Sequence, residues 1–538
     1  MVNYIIVTGG VISGLGKGIT TASIGKILQM HGYKVTAMKI DPYINFDAGT
    51  LRPTEHGEVW VTEDGGEIDQ DLGHYERFLD INIPKYHNIT TGQVYSAVIE
   101  KERAGKYLGK TVQPIPHVTD EIKRRIKQPS ENAKYDFVLV EIGGTVGDYE
   151  NVLFLEAVRQ MKYEGENIQY VHVTYVPVLK SLGEAKTKPT QHSVKLLREI
   201  GIQPDFIITR SEKPLDDVRK EKIALFCNVN GDDVISDSNI DNVYGVPLLF
   251  EEQQLCRMIL RKLGLRRKEV TLKQWKNYMN RIKKFDKKIR IGIVGKYFDI
   301  GSFKLSDSYI SVIEAVKHAA WNNGLRPEIE WIDSKIFEKQ PRKIVNLKKV
   351  DGIIVPGGFG LSGIEGKIST IKYARENNIP YLGLCLGMQL AVVEYARNVC
   401  GMKDANTTEV EKNTPFPVID FIPDQVKIIV ESRYGATMRL GAYPAQLAEG
   451  SLVRKIYSDS KVFERHRHRY EVNPKYIEQI EAKGLKFSGR SPDGVLMEFM
   501  ELPTHPYFVA TQAHPEFKSR PMKPAPLFDG LIKAAKKK

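Results

Sequence analysis

The chain has 538 residues and a mass of 61.0 kDa, which at roughly 100–200 residues per domain corresponds to about two to four domains. Its 42% hydrophobic and 27% charged residues exclude a disordered or collagen-like protein for the bulk of the chain. The net charge of +12 favours anionic partners. Because we find no basic stripe interleaved with aromatic residues and no nucleic-acid-binding motif, we expect small phosphorylated ligands and no nucleic acid.

The cysteines and the N-terminus indicate the compartment. Cys227, Cys256, Cys385 and Cys400 are spaced like neither a disulfide framework nor a zinc site, which favours a reduced, cytoplasmic environment. The N-terminus has no basic region before its short apolar run. No uninterrupted apolar run approaches the roughly 18 residues of a membrane helix. We therefore expect a soluble protein with no membrane partner.

Short β-branched runs that end in glycine-rich turns alternate with helical stretches along the chain. Such apolar runs without period-two alternation are typical of parallel strands buried on both faces, so the sequence predicts an α/β fold. The predicted strands are residues 4–10, 137–144, 289–295, 351–358 and 380–385, and the clearest helices are residues 19–31, 305–320 and 365–377.

A change in composition marks one domain boundary. Residues 262–288 are dense in Lys and Arg, and a new strand begins directly afterwards. A charge run of this kind is typical of a solvated connector. We therefore predict a first domain over residues 1–266, a partly helical basic linker over 267–288 and a second α/β domain over 289–538.

A phosphate-binding loop follows the first predicted strand. Its glycine-rich turn opens a helix, where backbone N–H groups attract phosphate and Lys17 neutralises the outer phosphates. The spacing resembles a Walker A loop, but Gly18 stands where Ser or Thr normally binds Mg²⁺. Magnesium must then be held by carboxylates elsewhere, and Asp71 and Glu141 are the candidates. Lys39, at the end of another strand, is placed for a phosphate.

A second site is predicted around Cys385, which lies between two glycines in a turn directly after a strand. A turn of this kind exposes a nucleophile and lets the next N–H group, that of Leu386, stabilise an oxyanion. His514 and Glu516 are two residues apart, so in an extended segment their side chains point the same way. His514 would accept the thiol proton while Glu516 orients the ring. Gly358 offers a second oxyanion donor.

The segment RHRHRY, residues 465–470, raises the question of a metal site at His466 and His468. The interleaved arginines would repel a cation, so we expect a paired surface strand there. Arg469 could instead hold a substrate carboxylate.

The two sites, in this order, resemble those of the CTP synthase family, and the resemblance covers nearly the whole chain. The most specific stretches are EIGGTVGD at 141–148 and GEAKTKPTQHS at 183–193. The other matching stretches are SGLGKG (13–18), MKIDPYIN (38–45), HGEVWVTEDGGE (56–67), DLGHYERF (71–78), KIALFCNV (222–229), GLCLGMQ (383–389) and RHRHRYEVN (465–473).

This resemblance implies a P-loop-type amidoligase domain followed by a class I glutamine amidotransferase domain, in a homotetramer. It implies that glutamine is hydrolysed at the cysteine, that ATP with Mg²⁺ phosphorylates the UTP 4-oxygen, and that tunnelled ammonia displaces the phosphate to give CTP. GTP would activate and CTP would inhibit.

The resemblance also implies the binding residues. ATP would bind to Gly14, Leu15, Gly16, Lys17, Gly18, Ile19 and Asp71, with Lys39 close by, and Asp71 and Glu141 would hold Mg²⁺. UTP and CTP would share Ser13, Lys186, Thr187, Lys188, Pro189, Thr190, Gln191 and Lys222, and inhibitory CTP would add Asp148, Tyr149 and Glu150. Glutamine would contact Gly358, Leu386, Gly387, Met388, Gln389, Glu409 and Arg469.

Two other functions are compatible with parts of this pattern. Another ATP-dependent glutamine amidotransferase, such as a cobyrinic-acid amidase, would need no second triphosphate pocket, so the KTKPTQ segment speaks against it. A P-loop scaffold ATPase that assembles into filaments would leave the Cys385, His514 and Glu516 set unexplained.

Overall fold

The structure is a computed structural model that describes residues 2–179, 183–268, 272–295, 299–300, 303–304, 306–358, 362–421 and 438–537. The chain divides into two compact units. Unit 1 comprises residues 1–48 and 68–280, and unit 2 comprises residues 49–67 and 281–538. The segment 49–67 thus belongs to unit 2, although a division of the chain into consecutive domains assigns it to the first.

Unit 1 is built on a parallel sheet of seven strands. In spatial order these are Val234–Ser238, Phe206–Ser211, Asn167–Tyr175, Asn3–Gly9, Phe137–Ile142, Val35–Asp41 and Asn88–Thr90. The first strand, Asn3–Gly9, lies in the middle and is buried along its whole length. Burial on both faces explains its continuous apolar sequence.

Helices cover this sheet. They are Lys17–Met30, Asp71–Leu79, Thr91–Arg103, Thr119–Asn132, Val152–Tyr163, Lys188–Glu199, Asp217–Cys227, Val246–Glu252, Leu255–Lys262 and Leu272–Ile282. The short turns are Lys85–His87, Pro114–Val118, Tyr149–Asn151, Gly231–Asp233 and Val243–Gly245, and a small ribbon pairs Val178–Leu179 with Glu184–Ala185. The predicted linker contains the helix Leu272–Ile282, whose Trp275 is buried and donates a hydrogen bond to the carbonyl of Tyr244.

Unit 2 contains a sheet of nine strands. In spatial order they are Arg326–Asp333, Lys288–Gly295, Gly352–Val355, Tyr381–Leu384, Phe508–Thr511, Met497–Glu501, Lys486–Arg490, Arg439–Leu447 and Lys461–His468. The first five run parallel, and every later pairing is antiparallel. Smaller sheets contain Ala405–Thr407, Phe416–Phe421 and Tyr470–Val472, the pair Asp299–Ile300 and Phe303–Lys304, and the pair Val59–Val61 and Glu67–Asp69.

Apolar clusters lie on both faces of this larger sheet, because neighbouring residues of a strand point to opposite sides. Ile353 and Val355 belong to one cluster, and Ile354 belongs to the other. The helices are Pro53–His56, Ile310–Asn322, Lys335–Lys339, Ile364–Glu376, Leu386–Asn398, Leu452–Tyr457, Ile477–Glu481 and Pro526–Ala535. The 3₁₀ turns are Ser306–Tyr309, Pro341–Lys349, Pro474–Tyr476 and Pro515–Lys518.

The predicted α/β class with parallel sheets is confirmed. Each predicted strand and helix has a counterpart with shifted ends; for example, the helix predicted over 19–31 spans Lys17–Met30. No helix among the described residues combines the length and apolarity needed to cross a membrane.

Candidate active sites

The first candidate site lies in unit 1, where the central strand meets the helix Lys17–Met30. Gly14 and Gly16 have φ values of 73° and 84°, in the left-handed region that glycine adopts without strain. Val11 has a φ of 81°, which is costly for a β-branched residue and is typical of a loop shaped by its function. Lys17 Nζ lies 2.9 Å from the carbonyl oxygen of Gly144, to which it donates a hydrogen bond.

Lys39 lies between the two predicted metal ligands. Its ammonium is 2.9 Å from Oε1 of Glu141 and forms a close ion pair with Asp71. Tyr75 donates a short hydrogen bond to the other oxygen of Glu141. The sequence thus identified three of these partners, whereas Tyr75 carried no signal beyond its place in the DLGHYERF stretch.

Further carboxylates crowd this cluster. Burial raises the pKa of Asp41 to about 6, although Lys39 opposes the shift. Burial and the neighbouring carboxylates raise the pKa of Asp69 well above its ordinary value. Burial and Asp71 also raise the pKa of Glu141, whereas at Asp71 burial is opposed by Lys39, His74 and Lys17, which together lower its pKa. The raised pKa values show that ionisation of these buried carboxylates is opposed, and an additional bound cation would relieve this cost.

The Asp71 carboxylate occupies the space that a side chain at position 18 would need. A Cβ atom at position 18 would overlap Oδ1 of Asp71. A serine or threonine, as in the usual Walker A loop, would therefore displace this carboxylate. The structure places a carboxylate oxygen, a suitable metal ligand, next to the position where the usual loop has a hydroxyl.

The predicted UTP residues fall into two groups. A cavity of about 390 Å³ in unit 1 is lined by Lys186, Thr187, Lys188, Gln191 and Lys222, together with Glu184, Ala185, Val218, Arg219 and Phe226. Ser13, Pro189 and Thr190 are not part of this lining among the described residues. Thr190 is buried, and its hydroxyl lies 2.6 Å from that of Thr174. Arg219 adds a cation that sequence analysis missed, because the helix Asp217–Cys227 lacks a phosphate motif.

The residues predicted to bind inhibitory CTP form an exposed turn. Tyr149 is 98% exposed, and Glu150 is exposed beside it in the 3₁₀ turn Tyr149–Asn151. The carboxylate of Asp148 accepts a hydrogen bond of 3.1 Å from the N–H group of Thr145. The helix Val152–Tyr163 has no side-chain capping bond at its start among the described residues, so Glu150 is not engaged there as a cap.

The second candidate site lies in unit 2, on the turn between the strand Tyr381–Leu384 and the helix Leu386–Asn398. Cys385 has φ 50° and ψ −103°, a strained conformation typical of a nucleophile elbow. A Cβ on Gly387 would overlap the carbonyl oxygen of Val355, so this position must be glycine. Leu386 begins the helix, where its N–H group is available as an oxyanion donor.

Cys385, His514 and Glu516 come together in that order. His514 Nδ1 lies 2.7 Å from Oε1 of Glu516, and the ring interacts electrostatically with Cys385. Phe517 stacks on the imidazole at 5.4 Å between ring centroids, and Trp60 packs edge-on against Phe517. These two aromatic rings pack behind the histidine, although the residue before it is the small Ala513.

Cys385, His514 and Glu516 line one cavity of about 320 Å³. Gly358 and Arg469, both predicted to bind glutamine, also line it. Another wall comes from the early part of the chain, with Gly49, Leu51, Arg52, Pro53, Glu58 and Val59. Sequence analysis did not anticipate this wall, because some 330 residues separate it from the cysteine. Phe359 and Gly360, which follow the predicted oxyanion donor Gly358, lie outside the described residues.

The remaining predicted glutamine residues lie around this elbow. Gln389 Nε2 donates hydrogen bonds to the carbonyl of Tyr470 at 3.0 Å and to Oε1 of Gln512 at 3.4 Å. Leu386, Gly387 and Met388 form the first turn of the buried helix. Glu409 and Arg469 both act electrostatically on Tyr470, with opposite effects on its pKa, which places them near the same ring.

Gln512 was missed by sequence analysis. Its Nε2 lies 3.7 Å from Sγ of Cys385, within the range of a hydrogen bond to sulfur. It can therefore stabilise negative charge on the nucleophile. Its position two residues before His514, in the same extended segment, was the only available signal.

The expectation of a surface strand at RHRHRY was wrong in part. Residues 461–468 do form a paired strand, but Arg465, His466 and His468 are buried. Segment 49–67 covers Arg465, which donates hydrogen bonds of 2.9 Å to Oε1 of Glu63 and to the carbonyl of Val61. Burial and the positive charge of Arg439 hold the pKa of both histidines well below their ordinary value.

The charge on His514 leads to a prediction about pH. Although burial opposes it, the Glu516 carboxylate and Cys385 raise the pKa of His514 from 6.5 to about 10. The ring therefore stays protonated until the pH approaches that value. Glu516→Gln removes the largest favourable charge, so we expect the alkaline limb of kcat/KM for glutamine hydrolysis to move down by about one pH unit or more.

The control for this variant is Glu501→Gln, which changes a buried carboxylate elsewhere in unit 2 that accepts hydrogen bonds from the N–H groups of Leu452 and Val453. It should leave the alkaline limb in place. An unshifted limb in Glu516→Gln would show that Glu516 does not set the protonation of His514.

Comparison with known proteins identifies the relatives of both units. The family model described as CTP synthase N-terminus matches residues 3–265, and that of glutamine amidotransferase class-I matches residues 304–534. The chain is 57% identical over 539 residues to a CTP synthase of Pyrococcus abyssi, covering 100% of this chain and 98% of the relative. It is 54% identical to a CTP synthase of Methanocaldococcus jannaschii, covering 99% and 98%.

A solved structure of the glutaminase domain of Trypanosoma brucei CTPS with bound acivicin is also similar. It shares 40% sequence identity, with a TM-score of 0.43, and covers 46% of this chain and 94% of the other.

Proposed function

The chain belongs to the CTP synthase family, glutamine-hydrolysing ligases that aminate UTP with the use of ATP, and we propose how its own residues divide this reaction. Unit 2 releases ammonia from glutamine, and unit 1 activates the 4-oxygen of UTP. The observation that carries the proposal is that Cys385, His514 and Glu516 line one cavity of unit 2, with His514 hydrogen-bonded to Glu516.

Glutamine hydrolysis starts with attack of the Cys385 sulfur on the amide carbon. The N–H groups of Leu386 and Gly358 stabilise the oxyanion, and the protonated ring of His514 gives its proton to the departing ammonia. His514 then takes a proton from water as that water cleaves the thioester, which releases glutamate and restores the thiol. Arg469, at the cavity wall, binds the substrate carboxylate.

In unit 1, the loop around Gly14 and Gly16 and the ammonium of Lys17 hold the ATP phosphates. The γ-phosphoryl group passes from ATP to the 4-oxygen of UTP and leaves ADP. Ammonia then displaces inorganic phosphate from carbon 4 of the base to give CTP. The lysines of the 390 Å³ cavity hold the UTP triphosphate.

Asp71 and Glu141 are the residues that would hold Mg²⁺. The fit rests on the surplus of buried carboxylates and on the ammonium of Lys39, which already lies between these two as a cation. When bound, Mg²⁺ would neutralise the negative charge that develops during phosphoryl transfer. The protein groups orient the phosphates for transfer.

The function is tested by measuring ammonia release from glutamine together with CTP formation, with and without UTP and ATP. We expect ammonia release to be coupled to CTP formation when both nucleotides are present. Synthesis indifferent to UTP would indicate a different amidotransferase. No ammonia release at all would favour the scaffold ATPase.

We further propose that CTP inhibits through the turn at residues 148–150. UTP and CTP carry the same triphosphate, so Lys186, Lys188 and Lys222 cannot distinguish them. The bases differ, because UTP offers a 4-oxo acceptor where CTP offers a 4-amino donor. The exposed carboxylate of Glu150 is free to accept a hydrogen bond from such a donor, directly or through water.

Glu150→Ala should therefore raise the CTP concentration for half-inhibition about tenfold, the effect of losing about 1.4 kcal/mol. The UTP concentration for half-maximal rate should change much less. Glu131→Ala, which removes an exposed carboxylate elsewhere in unit 1, is the matched control and should change neither. Equal losses for both nucleotides, or unchanged inhibition, would remove Glu150 from the product pocket.

The proposal also includes activation by GTP, internal transfer of ammonia, a homotetramer and a cytoplasmic location, as family membership implies. Internal transfer protects the small amount of ammonia released from glutamine, because in water most of it would become ammonium, which is no nucleophile. Segment 49–67 supports internal transfer of ammonia. Residues of this segment line the glutamine cavity, and in the sequence the segment lies between the parts of the chain that contain Lys39 and Asp71.

A further inference from the structure

Three side chains of unit 1 with metal-binding atoms converge at a place that the reaction does not use. They are His31, which ends the helix Lys17–Met30, Glu251 on the helix Val246–Glu252, and Cys256 on the helix Leu255–Lys262. Their nitrogen, oxygen and sulfur ligand atoms all lie within 4.8 Å of one another. From this geometry we propose that they bind one divalent transition-metal ion of the zinc class.

The hydrogen bonds of His31 are incomplete. One ring nitrogen, Nε2, lies 3.1 Å from Oε1 of Glu251. The other, Nδ1, is buried and has no hydrogen-bond partner among the described residues, and neither has Oε2 of Glu251. No protonation state of the ring satisfies both nitrogens, because Nδ1 lacks an acceptor when protonated and a donor when not. A metal ion accepts the electron pairs that the protein leaves unused.

The electrostatic setting also favours a cation. The fully described helix Lys17–Met30 has no basic residue in its last turn, so its own side chains do not balance the partial negative charge of its terminal carbonyls. Arg267 already approaches Glu251 at 3.6 Å and would share this carboxylate with the ion, and Tyr33 lies close to Cys256. Glu251 is 16% exposed and His31 is fully buried, so the ion would enter on the side of the glutamate.

The ligand types select the metal. Thiolate and imidazole favour Zn²⁺ and related ions over Mg²⁺, which prefers oxygen. Binding would release the thiol proton of Cys256 to solvent. Three protein ligands leave a fourth position for water, and the ion would connect the end of the phosphate-loop helix to the two later helices. The spacing of the cysteines gave no such signal, because His31 and Glu251 are 220 residues apart.

The test uses the full-length chain with Cys385→Ala, so that the reactive thiol does not contribute. We expect one equivalent of Zn²⁺ per chain by elemental analysis after dialysis. Co²⁺ in its place should give the near-ultraviolet charge-transfer band of a cobalt–thiolate bond. Adding Cys256→Ser or His31→Gln should lower Zn²⁺ affinity at least about a hundredfold, whereas Cys227→Ser, which changes a buried thiol outside the cluster, should not.

Thermal unfolding gives a second measurement that does not require replacing any of the three metal ligands. Zn²⁺ should raise the Tm of the Cys385→Ala chain, and a chelator should reverse the rise, because a ligand that binds the folded state stabilises it. Substoichiometric zinc, a Co²⁺ complex without a thiolate band, or equal binding with and without Cys256 would each overturn the proposal. None of these results affects the proposed synthase reaction.

Discussion

Cys385→Ala is expected to abolish CTP formation from glutamine, with a fall of about 10³-fold or more, while ammonium chloride still supports synthesis. The reason is the division of the site residues between two units. Removing the sulfur eliminates the nucleophile on the elbow before the helix Leu386–Asn398, and it leaves Lys17, Lys39, Asp71 and Glu141 unchanged. External ammonia replaces the product of the missing step.

The measurement compares initial rates of CTP formation with each nitrogen source at saturating ATP and UTP. Cys400→Ala, which removes a half-buried thiol of the same unit, is the control and should retain the glutamine-dependent activity. Loss of both activities in Cys385→Ala would contradict independent chemistry at the two sites. Retained glutamine-dependent synthesis would show that another residue is the nucleophile.

Asp71→Asn is expected to have the opposite pattern and to reduce CTP formation from either nitrogen source at least about a hundredfold. The carboxylate of Asp71 lies against Gly18 and forms an ion pair with Lys39. An amide is nearly the same size but lacks the charge that Mg²⁺ and Lys39 both require. Basal glutamine hydrolysis should persist, because it depends on residues of unit 2.

Asp80→Asn provides a matched control for this substitution. Asp80 ends the same helix with a φ of 52°, a left-handed conformation that asparagine tolerates well. The control should leave synthesis within about twofold of the wild type. The Mg²⁺ concentration for half-maximal rate, measured with ammonium chloride, should rise in Asp71→Asn and not in Asp80→Asn. Near-normal synthesis in Asp71→Asn would mean that the metal is held elsewhere.

Local patterns determined much of the fold. Continuous apolar runs such as residues 4–8 and 137–142 predict strands buried on both faces, and the structure has them as Asn3–Gly9 and Phe137–Ile142 in one parallel sheet. Such runs are informative because burial on two faces demands apolar residues at every position. The ends of elements were less predictable, since caps and neighbouring turns decide them.

Local chemistry also determined the choice of candidate side chains. The Cys385 elbow and the pair His514 and Glu516 each occupy only a few residues, so their chemical types and spacing are visible in the sequence. The 2.7 Å hydrogen bond between His514 and Glu516 joins two residues that are only two positions apart, so the sequence spacing alone suggests it. The missing hydroxyl at Gly18 likewise called for a carboxylate, and the structure places Asp71 against that glycine.

Only the tertiary structure decided what lies around these groups. The segment 49–67 walls the cavity of Cys385 and buries Arg465, and three separate helices bring His31, Glu251 and Cys256 together. In each case at least one partner is distant in sequence from the others and is brought in by packing, which leaves no periodicity or motif in any one stretch. A residue's own neighbours in the chain determine its local conformation and chemistry, whereas its burial and its distant partners depend on how the whole chain closes upon itself.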